Sequence, residues 1–122
     1  MDKLKIIGGF FALLSVVLGA IAAHKLKGSL NEESLKSFET GVKYMIYHAL
    51  AMIIVSNSNI QGKNNVLFIF SLGIVLFSFS IFLLSTQSLT KINFSFLGPV
   101  TPIGGLMLII GWMIFIINSF RI

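Results

Sequence analysis

The alternation of apolar and polar positions divides the chain into four long apolar runs separated by short polar stretches. The first, residues 4–23, is long enough to cross about 30 Å of hydrocarbon as a helix. The second differs from the rest. It opens on a charged segment in which Leu35, Phe38, Val42 and Met45 recur at helical spacing, and it turns apolar over 41–56. One helix from Glu32 to Ser56 is therefore predicted, amphipathic first and membrane-buried afterwards. The third and fourth runs cover 66–85 and 102–117. The pattern predicts a single all-α membrane domain over 1–122, an integral bundle of four transmembrane helices whose second member is extended by an amphipathic segment.

The polar stretches carry helix punctuation. Residues 24–30 read as a loop, after which Asn31 suits an N-cap with Glu32 and Glu33 in the first turn; Ser29 and Glu32 offer an alternative capping box. Residues 57–65 read as a polar turn and 86–98 as a loop. Thr101 then suits an N-cap, and Pro102 the first helical position, where its absent N–H costs nothing.

Small residues mark faces on which helices can approach closely, because packing rather than hydrophobicity joins helices in lipid. Gly8, Ala12, Ser15, Gly19 and Ala22 share one face of the first span. Ser71, Ser78 and Ser85 repeat every seventh residue in the third, with Gly73 and Ser80 nearby, and Gly104 and Gly111 do so in the fourth. Serines at such positions bond their own backbone or a neighbouring helix, or else line a conduction path. Trp112 lies well inside the fourth span, as a residue packed against a neighbour does.

Composition agrees with lipid as the solvent: 56% of residues are hydrophobic, 11% are charged, and mean hydropathy is +0.96. A net charge of +5 would raise nucleic acid as a partner for a soluble chain, but here Lys and Arg flank the apolar runs. No nucleic-acid partner is expected. The chain has no cysteine, which excludes disulfides, thiolate metal sites and cysteine nucleophiles. Lys3 and Lys5 ahead of an apolar run ending Ala20-Ile21-Ala22 imitate a secretory signal peptide. The run exceeds a usual signal core, however, and three more spans follow, so it is read as retained. Four spans put both ends on one side, with Lys3, Lys5, Lys63 and Arg121. The tally tips toward the other side, with Lys25, Lys27, Lys36, Lys43 and Lys91, as the cytoplasmic one.

Within the spans, His48 is the exception to a nearly empty ionisable inventory, and an ionisable residue inside a transmembrane helix is a candidate functional site. Tyr44 lies one turn above it and Tyr47 beside it. Counting at 1.5 Å per residue puts His24 at about the level of Tyr44, which favours a ladder His24–Tyr44–His48 over two imidazoles meeting on one metal ion. Glu39 is the nearest carboxylate. The candidate polar site is thus His24, Glu39, Tyr44, Tyr47 and His48, with no metal, cofactor or catalytic residue expected. No serine triad, nucleophile elbow, phosphate loop or dinucleotide fingerprint can be drawn, so no enzyme is expected.

Four stretches together resemble a known family. Gly19-Ala20-Ile21-Ala22-Ala23-His24-Lys25-Leu26-Lys27 is similar to the Gly-Ala-Phe-Gly-Ala-His motif that opens domain of unknown function 423, a family of small bacterial membrane proteins related to eukaryotic transmembrane protein 256. Residues Glu39-Thr40-Gly41-Val42-Lys43-Tyr44 with Tyr47-His48-Ala49-Leu50 resemble its second motif. Leu72-Gly73-Ile74-Val75-Leu76-Phe77-Ser78 with Ser80, and Thr101-Pro102-Ile103-Gly104-Gly105 with Gly111-Trp112, resemble the third and fourth. Ile21 and Ala22 stand where that family has Phe-Gly, Met45 where it has Gln, and Phe79 where it has Gly. The Met45 change removes a polar group from beside the tyrosines. The resemblance implies a four-helix inner-membrane protein and carries no assigned activity. The expected role is a non-enzymatic accessory or assembly factor in the bilayer, contacting a membrane protein or further copies of itself. The alternative is an oligomeric conduit or transporter for a proton, ion or small solute along the His/Tyr ladder.

Overall fold

The computed structural model describes residues 3–120, so Arg121 lies outside the described residues. Four helices are long and apolar enough to cross a membrane: α1 (Lys3–Leu26), α2 (Glu32–Ser56), α3 (Lys63–Ser85) and the last, of which the regular part is α4 (Val100–Ser119). No strand occurs among the described residues. A short turn of helix, Gln87–Thr90, and a 3-10 turn, Ser95–Leu97, lie between α3 and α4. The fold class read from the sequence is the one observed.

Local chemistry fixes the joints. Asn31 caps α2 by accepting from the Ser34 N–H at 2.7 Å, while Ser29 donates back to the Lys25 carbonyl and so leaves the alternative box unformed. Gly28 and Gly62 supply the positive φ values, 92° and 68°, that the turns entering α2 and α3 require. Lys63 then donates to the Ser56 and Ser58 carbonyls at 3.0 and 3.2 Å, placing a cation at the C-terminal end of α2. The start of α4 departs from the expectation. The helix begins at Val100 after Pro99, whose φ of −69° is already helical, and Thr101 sits inside the first turn with its hydroxyl against Ser80 of α3. Pro102 still falls among the first four N–H positions, which need no intrahelical acceptor.

Helices α2 and α3 form the central pair. Phe70 and Ile74 of α3 and Met45 and Met52 of α2 are fully enclosed. Helix α1 lies against α2 through its small face. A methyl group on Gly8 would stand 3.1 Å from Ile53 Cγ1, and one on Gly19 would stand 3.6 Å from Val42 Cγ1. Helix α4 lies against α3, and no Cα of α4 comes within 8 Å of one in α1 or α2. The outer faces, such as Phe10, Leu13 and Val16 of α1 and Ile103, Ile110 and Ile117 of α4, are exposed, as lipid-facing residues are.

A π turn at Val75–Phe79 interrupts α3. An i→i+5 turn leaves carbonyls without their ordinary partners, and hydroxyls collect them. Ser80 Oγ lies 2.6 Å from the Leu76 carbonyl and 2.9 Å from that of Phe77, and it also pairs with Thr101 of α4. Ser78 donates across to the Gly41 carbonyl of α2 at 2.8 Å. Ser71 donates to Leu67 and Ser85 to Phe82, each within α3. Each of these hydroxyls has an acceptor within the protein.

At the π turn the backbones of α3 and α4 meet. A Cβ on Gly104 would clash with the Phe77 nitrogen and fall 2.6 Å from the Leu76 carbonyl carbon. One on Gly105, the next residue, would meet only the Phe77 ring at 3.5 Å. The pair gives an internal control. Gly104→Ala is expected to lower stability by about 1–3 kcal/mol through overpacking against backbone. Gly105→Ala should be neutral or stabilising by up to about 1 kcal/mol from helix propensity. Denaturation of the two variants in mixed micelles measures the difference.

Candidate functional site

His48 sits on the buried face of α2, 5% exposed, between Met45 and Met52. Both ring nitrogens have partners. Nδ1 lies 2.7 Å from the Tyr44 carbonyl, and Nε2 lies 3.0 Å from Nε1 of Trp112 on α4. An indole N–H only donates and a carbonyl only accepts. His48 Nε2 must therefore present its lone pair, and Nδ1 must carry the hydrogen. The two bonds select one tautomer of the uncharged ring.

Around this bond the side chains form an aromatic cluster. Phe70 meets His48 edge-on at 5.2 Å between centroids and packs against Trp112 at 5.0 Å. Tyr44 stacks on the imidazole at 6.2 Å with an interplanar angle of 19° and contacts Phe77 at 5.1 Å. Offset and edge-on pairs of this kind add to plain area burial. Trp112 continues the cluster to Phe115 at 5.7 Å.

Because α2 and α4 do not approach at the backbone, a furrow remains between them, and the Trp112–His48 bond spans it. Its central cavity holds about 600 Å³ and is lined by Tyr44, His48, Phe77, Leu106, Ile109 and Trp112. Toward one end it meets a more polar hollow with Glu33, Ser37, Ser85 and Thr101; the two share Pro102. At the other, a hollow with Tyr47, Ile54 and Phe115 shares Trp112. The walls are apolar along most of the length.

The five candidate polar residues divide. Tyr44, Tyr47 and His48 come together, with the tyrosine rings 6.0 Å apart. His24 and Glu39 stay apart from them and exposed. The Gly8–Ile53 and Gly19–Val42 contacts set a register in which His24 is level with Ser37, about 10 Å along α2 from Tyr44. No Cα of α1 comes within 8 Å of one in α4, the helix that carries Trp112. The His24 rung of the ladder is therefore corrected: α1 continues as a π turn, Ala22–Leu26, that carries His24 past the tyrosine level. Among the described residues neither tyrosine hydroxyl has a hydrogen-bond partner, and no three His, Cys, Asp or Glu side chains gather as metal ligands do. Of the packing residues, Gly8, Ser15, Ser78, Gly104 and Gly111 are buried at helix interfaces, while Ala12, Gly19 and Ser71 are partly covered.

The partner that sequence reasoning missed is Trp112. A signal existed. The chain has one tryptophan, placed at depth, and an indole N–H there needs an acceptor. His48 is the ring at comparable depth on a helix running the same way.

The family model described as protein of unknown function, DUF423, matches residues 18–105. A UPF0382 membrane protein of Staphylococcus haemolyticus is 38% identical over 122 residues, covering 95% of this chain and 93% of that protein. The UPF0382 membrane protein YwdK of Bacillus subtilis is 38% identical over 121 residues, covering 95% and 94%. No solved structure matches.

The bond itself is testable by a double-mutant cycle. Trp112→Phe strips the donor and leaves a buried acceptor unpaired, at a cost of about 1–3 kcal/mol. Combined with His48→Leu, the coupling should be about 0.6–2 kcal/mol, the range for interhelical hydrogen bonds in lipid. Unfolding in mixed micelles, followed by helical circular dichroism, gives all four corners.

Proposed function

This chain belongs to the DUF423 family of small bacterial multi-pass membrane proteins, and on that premise we propose that it is a non-enzymatic accessory protein of the inner membrane. It acts by receiving a transmembrane helix of a partner protein in the α2–α4 furrow. One observation carries the reading: His48 has both nitrogens engaged inside the protomer, so the cluster keeps no base or nucleophile in reserve, yet the furrow beside it stays open and apolar. A cluster built this way positions two helices and leaves a surface for a third. Gly105 and Thr40 keep that surface low, which suits close approach of a helix backbone. The conduit alternative would need His48 to exchange a proton that its tautomer holds on Nδ1 against Tyr44. The side bearing His24 and Lys43 faces the cytoplasm in this reading.

Site-specific photocrosslinking in native membranes tests it. A benzophenone side chain at Leu106, in the furrow, should yield a discrete adduct with another membrane protein. The same probe at Phe10, on the outer face of α1, should yield lipid adducts. Lipid adducts alone at Leu106, or adducts only with a second copy, overturn the proposal. So does proton flux in proteoliposomes that His48→Ala abolishes.

A further inference from the structure

A second cavity, of about 590 Å³, lies on the other side of α2, where α1 leaves the apolar region. Ala22, Ala23 and Leu35 form its apolar part, and Lys27, Lys36 and Lys43 line it as well. Lys36 and Lys43 are seven residues apart and share a face of α2. The register that places His24 beside Ser37 places Lys43 beside Leu18, about 7 Å below the end of the apolar run of α1. Lys43 is therefore a cation at hydrocarbon depth, exposed in the groove. Glu32 and Glu39 also line the cavity. Among the described residues, however, no carboxylate comes within 4.0 Å of the Lys27, Lys36 or Lys43 amino group.

A charge held at that depth without a counterion is costly, and a lysine there extends its stem toward the interface to meet an anion. Soluble anions do not enter hydrocarbon. The anion that resides at the boundary is the phosphate of a phospholipid, and basic hollows between helices hold such headgroups. We infer that the α1–α2 groove is a binding site for an anionic phospholipid, its phosphate held by Lys36 and Lys43 with Lys27 closing the outer side. The site is separate from the α2–α4 furrow and does not depend on its occupant.

Thermal unfolding of the full-length protein in neutral detergent, followed by the fluorescence of its lone tryptophan, tests the inference. Phosphatidylglycerol should raise the Tm, and phosphatidylcholine with the same chains should not. Half-saturation by phosphatidylglycerol should require about fivefold more lipid in Lys43→Gln, and again in Lys36→Gln, while Lys43→Arg keeps the wild-type value. Lys36→Gln, on the exposed segment of α2, serves if Lys43→Gln does not fold. Equal stabilisation by phosphatidylcholine, an unchanged response in Lys36→Gln, or stabilisation reproduced by inorganic phosphate overturns the site as a lipid site.

Discussion

The hydrogen bond from the Trp112 indole to the His48 imidazole is the contact on which the arrangement of α4 over α2 depends. In hydrocarbon a buried polar group without a partner is costly, because water is absent and lipid tails offer nothing. Trp112 and His48 are the two strongly polar ring systems at depth, and each resolves the other. The bond fixes which nitrogen of His48 carries hydrogen, and Nδ1–H is then satisfied by the Tyr44 carbonyl one turn away. With both nitrogens engaged, the aromatic rings of Tyr44, Phe70 and Phe77 can close around the pair without burying an open valence.

The same constraint explains the middle of α3. A π turn at Val75–Phe79 disturbs the carbonyl ladder, and Ser80 and Thr101 bond around it. Gly104 lets α4 approach the Phe77 backbone at that point, which sets the pivot of α4 on α3. Because α4 packs on α3 and no Cα of α4 comes within 8 Å of one in α2, the furrow follows. Close packing on one side and a single side-chain bridge on the other are two consequences of one geometry.

Much of this was legible in the residues. Apolar runs and their length gave the four helices, and Asn31 with Glu32 and Glu33 marked the start of α2. Small residues at Gly8, Gly104 and Gly111 pointed to faces where helices meet. Other features needed the third dimension. The depth of His24 was judged by counting from helix ends, but the π turn at Ala22–Leu26 and the Gly8–Ile53 contact shift it by two turns. Thr101 has the chemistry of an N-cap, yet a proline already set in the helical region starts α4 before it. Periodicity also passes over the partner of Trp112, since no repeat in one helix says which side chain of another lies opposite. Lys43 counts in the sequence among the charges on one side of the membrane, whereas the register of α1 on α2 sets it level with Leu18 of the first span.

The most direct test of the central bond is nitrogen-15 magnetic resonance on protein labelled at histidine and tryptophan. The account predicts that His48 has the hydrogen on Nδ1 and a bare Nε2, and that the Trp112 indole proton is shifted downfield and protected from exchange with water. Hydrogen on Nε2, or an indole proton that exchanges freely, would contradict it.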